Sequence, residues 1–230
     1  MMLYVIGDLH LSIRGGKEMD CFGGAWAGYV DKIRDGFSAL TDDDTVVLCG
    51  DTSWGMNLPS ALPDFLFLET LPGHKILLKG NHDYFWDTAA KQTRFFRENG
   101  LRKLSLLHNN AYAFGNAALC GTRGWFLDQD AGADGKIFKR ELIRLRASLE
   151  KGRRLTDGEL IVFLHYPPVY ETFRCEEVLA ILREFGVRRC YYGHLHGPGR
   201  AKAVEGTAGG ILFRLISADH LGFRPVPVLI

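Results

Sequence analysis

Oxygen and imidazole ligands recur along the chain in five short runs: Gly7-Asp8-Leu9-His10, Gly50-Asp51, Gly80-Asn81-His82-Asp83, His165 and Gly193-His194-Leu195-His196. Asp and Asn supply hard oxygen and neutral His supplies nitrogen, a mixture that suits Mn, Fe or Zn. No Cys stands in these runs, so a thiolate site is not indicated. Two metals about 3.5–4 Å apart can clamp a phosphate and generate hydroxide at neutral pH. Taken together, the five runs read as such a two-metal site, with one carboxylate shared between the cations. Taken singly, each has a plainer reading. A Gly-Asp after a strand is commonly a turn, and a lone His before Tyr166-Pro167-Pro168 fits a strand end. Only the His194/His196 pair, two residues apart in extended chain, shares a face by itself.

The elements that must position these side chains are legible as apolar runs just before them. Leu3–Ile6, Thr45–Cys49, Lys75–Lys79, Leu160–Leu164 and Cys190–Tyr192 read as strands. Ligand sites in open α/β sheets gather beyond the carboxyl ends of strands, so residues distant in sequence can meet there. Between the strands, Trp26–Leu40, Leu58–Leu71, Thr88–Asn99 and Glu176–Phe185 read as helices. Their boundaries are marked by Pro59, Pro72-Gly73, Gly100 and Gly186. Leu104–Leu107, Ala111–Phe114 and Ala117–Cys120 read as short strands, as do Arg200–Val204, Ile211–Ile216 and Phe223–Leu229. No repeat or linker divides the chain, and a single domain over 1–230 is expected.

In order and spacing, the runs GDLH, GD, GNHD, His165 and GHLH resemble the calcineurin-like metallophosphoesterases. That resemblance implies an α/β fold of four αββα layers, a two-sheet sandwich flanked by helices. The later strands would form and complete its second sheet. It implies two divalent or trivalent metal ions (Mn, Fe or Zn). Asp8, His10 and His196 would hold the first ion and Asn81, His165 and His194 the second, with Asp51 between them. His82 would face the phosphate and serve the leaving oxygen, with Asp83 orienting it. The implied reaction is attack by metal-bound hydroxide on a phosphomonoester or phosphodiester. The alternatives are a nuclease of the same superfamily and a non-catalytic metal-binding scaffold. The second motif reads Gly50-Asp51-Thr52-Ser53-Trp54-Gly55 and lacks the Arg that protein phosphatases of the superfamily carry there, which argues against phosphoprotein substrates.

Candidate cleft residues are Trp54, Asn57, Tyr84, Trp86, Arg123, Trp125, Tyr166 and Tyr170. Arg123, directly after a strand, offers a forked donor to a phosphate oxygen; a bond to a local carbonyl is the competing reading. Residues 136–154 read as a basic helix, with Lys136, Lys139, Arg140, Arg144, Arg146, Lys151, Arg153 and Arg154 against Glu141 and Glu150. A solvated covering face is the favoured reading, and an anion-binding surface is the other. The chain's 28 basic and 27 acidic residues leave a net charge of +1, which argues against nucleic acid as a partner. A phosphorylated small molecule or nucleotide is the expected substrate. No apolar run approaches a membrane span. The site follows the first strand immediately, so a cleaved leader and an export route are not expected, and a cytoplasmic location is. Five Cys, none in a C-x-x-C pair, read as thiols in a reducing compartment.

Overall fold

A computed structural model describes residues 1–17, 19–124 and 135–230. In chain order its main elements are β1 (Leu3–Ile6), α1 (Tyr29–Phe37), β2 (Thr45–Leu48), α2 (Leu58–Thr70), β3 (His74–Leu78), α3 (Ala89–Glu98), β4 (Leu104–Leu107), β5 (Ala111–Phe114) and β6 (Ala117–Thr122). There follow α4 (Gly135–Leu155), β7 (Glu159–Leu164), a small hairpin of β8 (Val169–Tyr170) and β9 (Phe173–Arg174), α5 (Glu176–Glu184), β10 (Arg189–Tyr192), β11 (Gly206–Ala208), β12 (Ile211–Leu215) and β13 (Val226–Val228).

Two mixed sheets result, in the orders β13-β1-β2-β3-β4 and β11-β12-β10-β7-β6-β5. Strands β1 to β4 are mutually parallel, and so are β12, β10, β7 and β6; antiparallel strands lie only at the edges. Strands covered on both faces are apolar throughout rather than alternating, yet their residues still divide between faces. Leu3, Val5, Val47, Ile76 and Leu78 meet Leu119, Ile161 and Phe163 between the sheets. Ile6, Val46, Leu48 and Leu77 face outward under Ile33, Phe37, Phe65, Leu68 and Phe96 of α1, α2 and α3. Val162, Leu164, Tyr192 and Phe213 face the other way, under Leu145, Leu149, Val178 and Leu182 of α4 and α5. The expected αββα layering is therefore present.

The strands that precede the five ligand runs begin and end within a residue of the sequence reading. Four other expectations change. Leu104–Leu107 joins the first sheet, not the second, because α3 carries it across to pair in parallel with β3. The terminal strand shortens to Val226–Val228 and pairs with β1; Phe223, in the left-handed region at φ 63°, closes the turn before it. Arg200–Val204 is not a strand. Gly197–Lys202 forms a 3-10 turn, since Pro198 has no N–H for a ladder and the Arg200 guanidinium bonds back to the Gly197 carbonyl at 3.0 Å. The apolar stripe from Trp26 is split by Gly28 (φ 63°), so α1 starts only at Tyr29. Among the described residues no helix is long and apolar enough to cross a membrane. Cys49, Cys120, Cys175 and Cys190 are buried free thiols, and burial raises all four.

Gly36 of α1 lies hard against the turn that returns to β13: a Cβ there would stand 2.1 Å from the Phe223 carbonyl oxygen. Gly36→Ala should overpack this contact and lower stability by about 1–3 kcal/mol, to be read as a reduced urea midpoint at unchanged slope.

Candidate metal centre

The loops after β1, β2, β3, β7 and β10 meet at one edge of the sandwich. Their backbones leave the strands abruptly. Asp8, His10, Asp51 and His194 all have positive φ, between 46° and 72°, a region that non-glycine residues occupy at some cost and that concentrates at functional sites. Backbone bonds hold the turns in place. Asp8 N–H donates to the Gly50 carbonyl at 2.9 Å and His10 N–H to the Asp51 carbonyl at 2.8 Å. Gly50 and Gly80 are the glycines this crowding requires. A Cβ on Gly50 would lie 2.7 Å from His165 Nδ1, and one on Gly80 would lie 2.1 Å from Asp51 Oδ1.

Asp51 is central. Its Oδ1 accepts the His82 backbone N–H at 2.7 Å. Its Oδ2 lies 3.7 Å from His10 Nε2 and 3.5 Å from His165 Nε2. Asp8, on the next loop, accepts the His194 N–H at 2.9 Å. His165 is fixed at both ends: Nδ1 reaches the Cys49 carbonyl at 3.0 Å, while Nε2 lies 2.6 Å from Asn81 Oδ1. His194 Nδ1 approaches the same Asn81 oxygen at 3.0 Å. His196 packs edge-on to His10 at 5.1 Å between ring centroids. Asp8, Asp51 and His165 are buried and bring ligand atoms within 4.8 Å of one another, a cluster able to hold a metal ion.

The donor chemistry fits a cation. Both ring nitrogens of His10 are buried without a hydrogen-bond partner, which is costly for an imidazole unless it ligates. Because Cys49 offers only an acceptor, His165 carries its proton on Nδ1. Its Nε2 lone pair then faces the Asn81 carbonyl oxygen, an opposition that a shared cation relieves. Burial, first of all, depresses the histidines: His165 to about 3, His194 to about 2, and His10 well below its ordinary range. They are neutral at physiological pH, the form in which imidazole can ligate. Burial raises the acids, Asp51 to about 6 and Asp8 strongly, each worsened or tempered by neighbouring charge.

Asp83 does something other than the sequence suggested. Its carboxylate accepts backbone N–H groups from Gly80 at 2.6 Å, Thr52 at 2.8 Å, Asp51 at 2.9 Å and Ser53 at 3.3 Å. It does not pair with the His82 ring, because those four donors point inward where the side chain is buried. His82 instead lies against Trp54 (4.6 Å between centroids), with Nδ1 3.3 Å from the Tyr84 hydroxyl. Trp54 stacks on His10 at 5.0 Å, so it borders the centre. Tyr166 is buried, its ring 4.2 Å from that of His194, a backing position rather than an open one. The Arg123 carbonyl accepts the N–H groups of His165 and Tyr166 at 3.2 and 2.9 Å, and its guanidinium lies 3.9 Å from Glu141. Asn57 caps α2 through Ser60, Trp86 packs on Phe85, and Tyr170 belongs to the small hairpin. Trp125 lies outside the described residues.

Two residues at the centre escaped the sequence reading. Asp219, in the bend after β12, accepts the Gly197 N–H at 2.7 Å and acts electrostatically on His196 and Asp8. A strand followed by the polar run Ser217-Ala218-Asp219-His220 was the available signal. Lys17 carries its ammonium 4.2 Å above Trp54, a cation–π contact with no local sequence signature.

Residues 1–198 match the family model described as calcineurin-like phosphoesterase. No curated protein matches at a significant level. Among solved structures, TT1561 of Thermus thermophilus is similar in fold, with a TM-score of 0.58 at 12% identity over 98% of this chain and 97% of that one. A protein of unknown function from Aquifex aeolicus, AQ665, gives a TM-score of 0.49 at 15% identity, covering 98% of this chain and 95% of its own.

Two outcomes follow from this geometry. Because burial pushes Asp51 up to about 6 and holds the histidines far lower, carboxylate protons are what a metal must displace. Mn affinity should hold from pH 8 to about 6, then weaken by roughly tenfold per pH unit for each proton displaced; calorimetry in buffers of different ionisation enthalpy would count those protons. Asp83→Ala strips the acceptor from four backbone N–H groups. At about 1–3 kcal/mol per orphaned group, it should sharply reduce both thermal stability and Mn binding, while Asp83→Asn retains part of each.

Proposed function

The chain belongs to the calcineurin-like phosphoesterase family, and on that premise we propose that it is a metal-dependent phosphoric ester hydrolase that uses two metal ions on a phosphorylated small molecule or nucleotide. The observation that carries the reading is the position of Asp51 between His10 and His165, with Asn81 between His165 and His194. In this reading Asp8, His10 and His196 would hold one ion, Asn81, His165 and His194 the other, and Asp51 would serve both. Mn, Fe and Zn all suit this oxygen–nitrogen donor set. Such ions supply Lewis-acid polarisation of a phosphoryl oxygen and acidify a bound water.

The chain's own residues do the rest. Backbone and side-chain hydrogen bonds in the loops after β1, β2, β3, β7 and β10 set the positions of these residues. His82 is half-buried at the rim, and burial lowers its proton affinity below the ordinary histidine value. The Tyr84 hydroxyl engages its Nδ1, which leaves Nε2 to meet the leaving oxygen and return a proton to it. Asp83 serves this step indirectly, by fixing the backbone on either side of Asp51. Arg123, 13% exposed and 3.9 Å from Glu141, would offer its fork to a phosphate oxygen. Trp54, against His10 and His82, suits a planar leaving group.

Mn-loaded protein should hydrolyse p-nitrophenyl phosphate or its bis ester. Asp51→Asn should abolish turnover, and the preferred ester assigns monoesterase or diesterase activity. His82→Ala should keep its metal content and lose about 10²–10⁴ in kcat; metal loss would mean that His82 is a ligand. Two bound metals with no turnover on either ester would favour a scaffold.

A further inference from the structure

The bend after β12 adds a further loop to the edge where the ligand loops meet. Its backbone is tied to the first of them. Gly7 N–H donates to the Ile216 carbonyl at 2.8 Å, and Ala218 N–H donates to the Gly7 carbonyl at 2.9 Å. Ser217 thereby stands opposite Gly7, and the bend runs beside Asp8. The Asp219 side chain within it is 1% exposed. Its Oδ2 accepts the Gly197 N–H at 2.7 Å, one residue beyond His196. Arg200 braces this junction. Its guanidinium donates to the Gly197 and Asp219 carbonyls, both at 3.0 Å, and its Nε lies 3.5 Å from Asp219 Oδ2. The other carboxylate oxygen, Oδ1, is buried with no hydrogen-bond partner among the described residues.

A carboxylate placed so is costly, and Arg200 offsets the cost only from the Oδ2 side. Asp8, raised first by burial and then by Asp51, feels Asp219 as a further repulsive neighbour. His196, whose proton affinity burial lowers, feels it in the opposite sense, because a nearby negative charge favours positive charge at the ring. A cation beside Asp8 and His196 answers both effects. The His196 ring otherwise packs against the rings of His10, Phe22 and Trp26. Those contacts settle where the ring lies, while a carboxylate is the kind of group that orients a ligating imidazole and raises its basicity. The family match covers residues 1–198 and stops short of this bend.

We propose that Asp219 is a positioning residue for the ion that Asp8, His10 and His196 would hold: it fixes the His196 segment through Gly197 and supplies buried negative charge that tightens this half of the centre. The proposal rests on the two-metal reading and adds to it a residue that does not itself ligate.

Calorimetric titration of Mn into chelator-treated protein tests it, alongside thermal melting of the metal-free forms. Asp219→Asn keeps an oxygen for the Gly197 N–H and removes the charge. It should weaken one of the two Mn steps by about tenfold or more, leave the other within about twofold, and leave metal-free melting unchanged. Asp219→Ala, which also frees the Gly197 N–H, should weaken the same step further. Glu205→Gln removes a carboxylate that pairs with His220 of the same bend and should move neither step. Where the wild type turns over an ester, Asp219→Asn should need about tenfold more Mn for half-maximal rate and regain the wild-type kcat at saturation. Two Mn steps that Asp219→Asn leaves unmoved overturn the proposal alone. So do two steps weakened alike with lowered metal-free melting, which would make Asp219 a merely structural residue. Fewer than two Mn bound by the wild type overturns the two-metal reading, and the proposal with it.

Discussion

The buried carboxylate of Asp83 collects backbone N–H groups from two loops that belong to different strands, those of Gly80 after β3 and of Asp51, Thr52 and Ser53 after β2. One of them, Asp51, is the acid that lies near both His10 and His165. A carboxylate accepts several such bonds well because they aim partial positive charge at it, yet burial and the nearby Asp51 raise Asp83 to about 7. The clamp therefore holds two acids close together against their repulsion. The positions of His82, whose N–H bonds Asp51, and of Asn81 beside it depend on that closure.

The rest of the centre is strained in the same sense. Asp8, His10, Asp51 and His194 occupy left-handed backbone conformations, and a cluster of neutral, desolvated imidazoles surrounds two buried acids. Nothing in this arrangement would form for stability alone: orphaned ring nitrogens and opposed lone pairs are penalties. A rigid double sheet with apolar residues on every face tolerates them, because its three packed clusters lock the strand ends from which the loops emerge. Acid, imidazole and glycine are fitted so closely that Gly50 and Gly80 admit no Cβ.

Charge is laid out unevenly around this centre even though the whole chain is nearly neutral. Lys17 sits on Trp54, and Arg123 and Arg144 stand around the buried Glu141. Net charge reports the average over a surface, whereas recognition depends on where like charges are forced together. The basic helix is thus two things at once. Leu145 and Leu149 cover the second sheet, while Arg144 pairs with Glu141, which bonds Thr122 at the end of β6.

The sequence by itself determined the strands before the ligand runs, because apolar runs ended by Gly-Asp, Gly-Asn-His and Gly-His are local signals with a direct physical cause; the layering followed only from the family that those runs resemble. Asp8, His10, Asp51, Asn81, His165, His194 and His196 were legible as ligand candidates for the same reason: their residue types announce their chemistry. Tertiary structure alone decided what Asp83 bonds. An acid adjacent to a histidine suggests a pair, but the side chain turns inward to backbone donors contributed by another loop. Only the fold moved Leu104–Leu107 into the first sheet, turned Arg200–Val204 into a 3-10 segment, and brought Asp219 and Lys17 to the rim. Strand partners and cross-loop hydrogen bonds join residues far apart in sequence, and no local pattern encodes which distant group will be there to accept them.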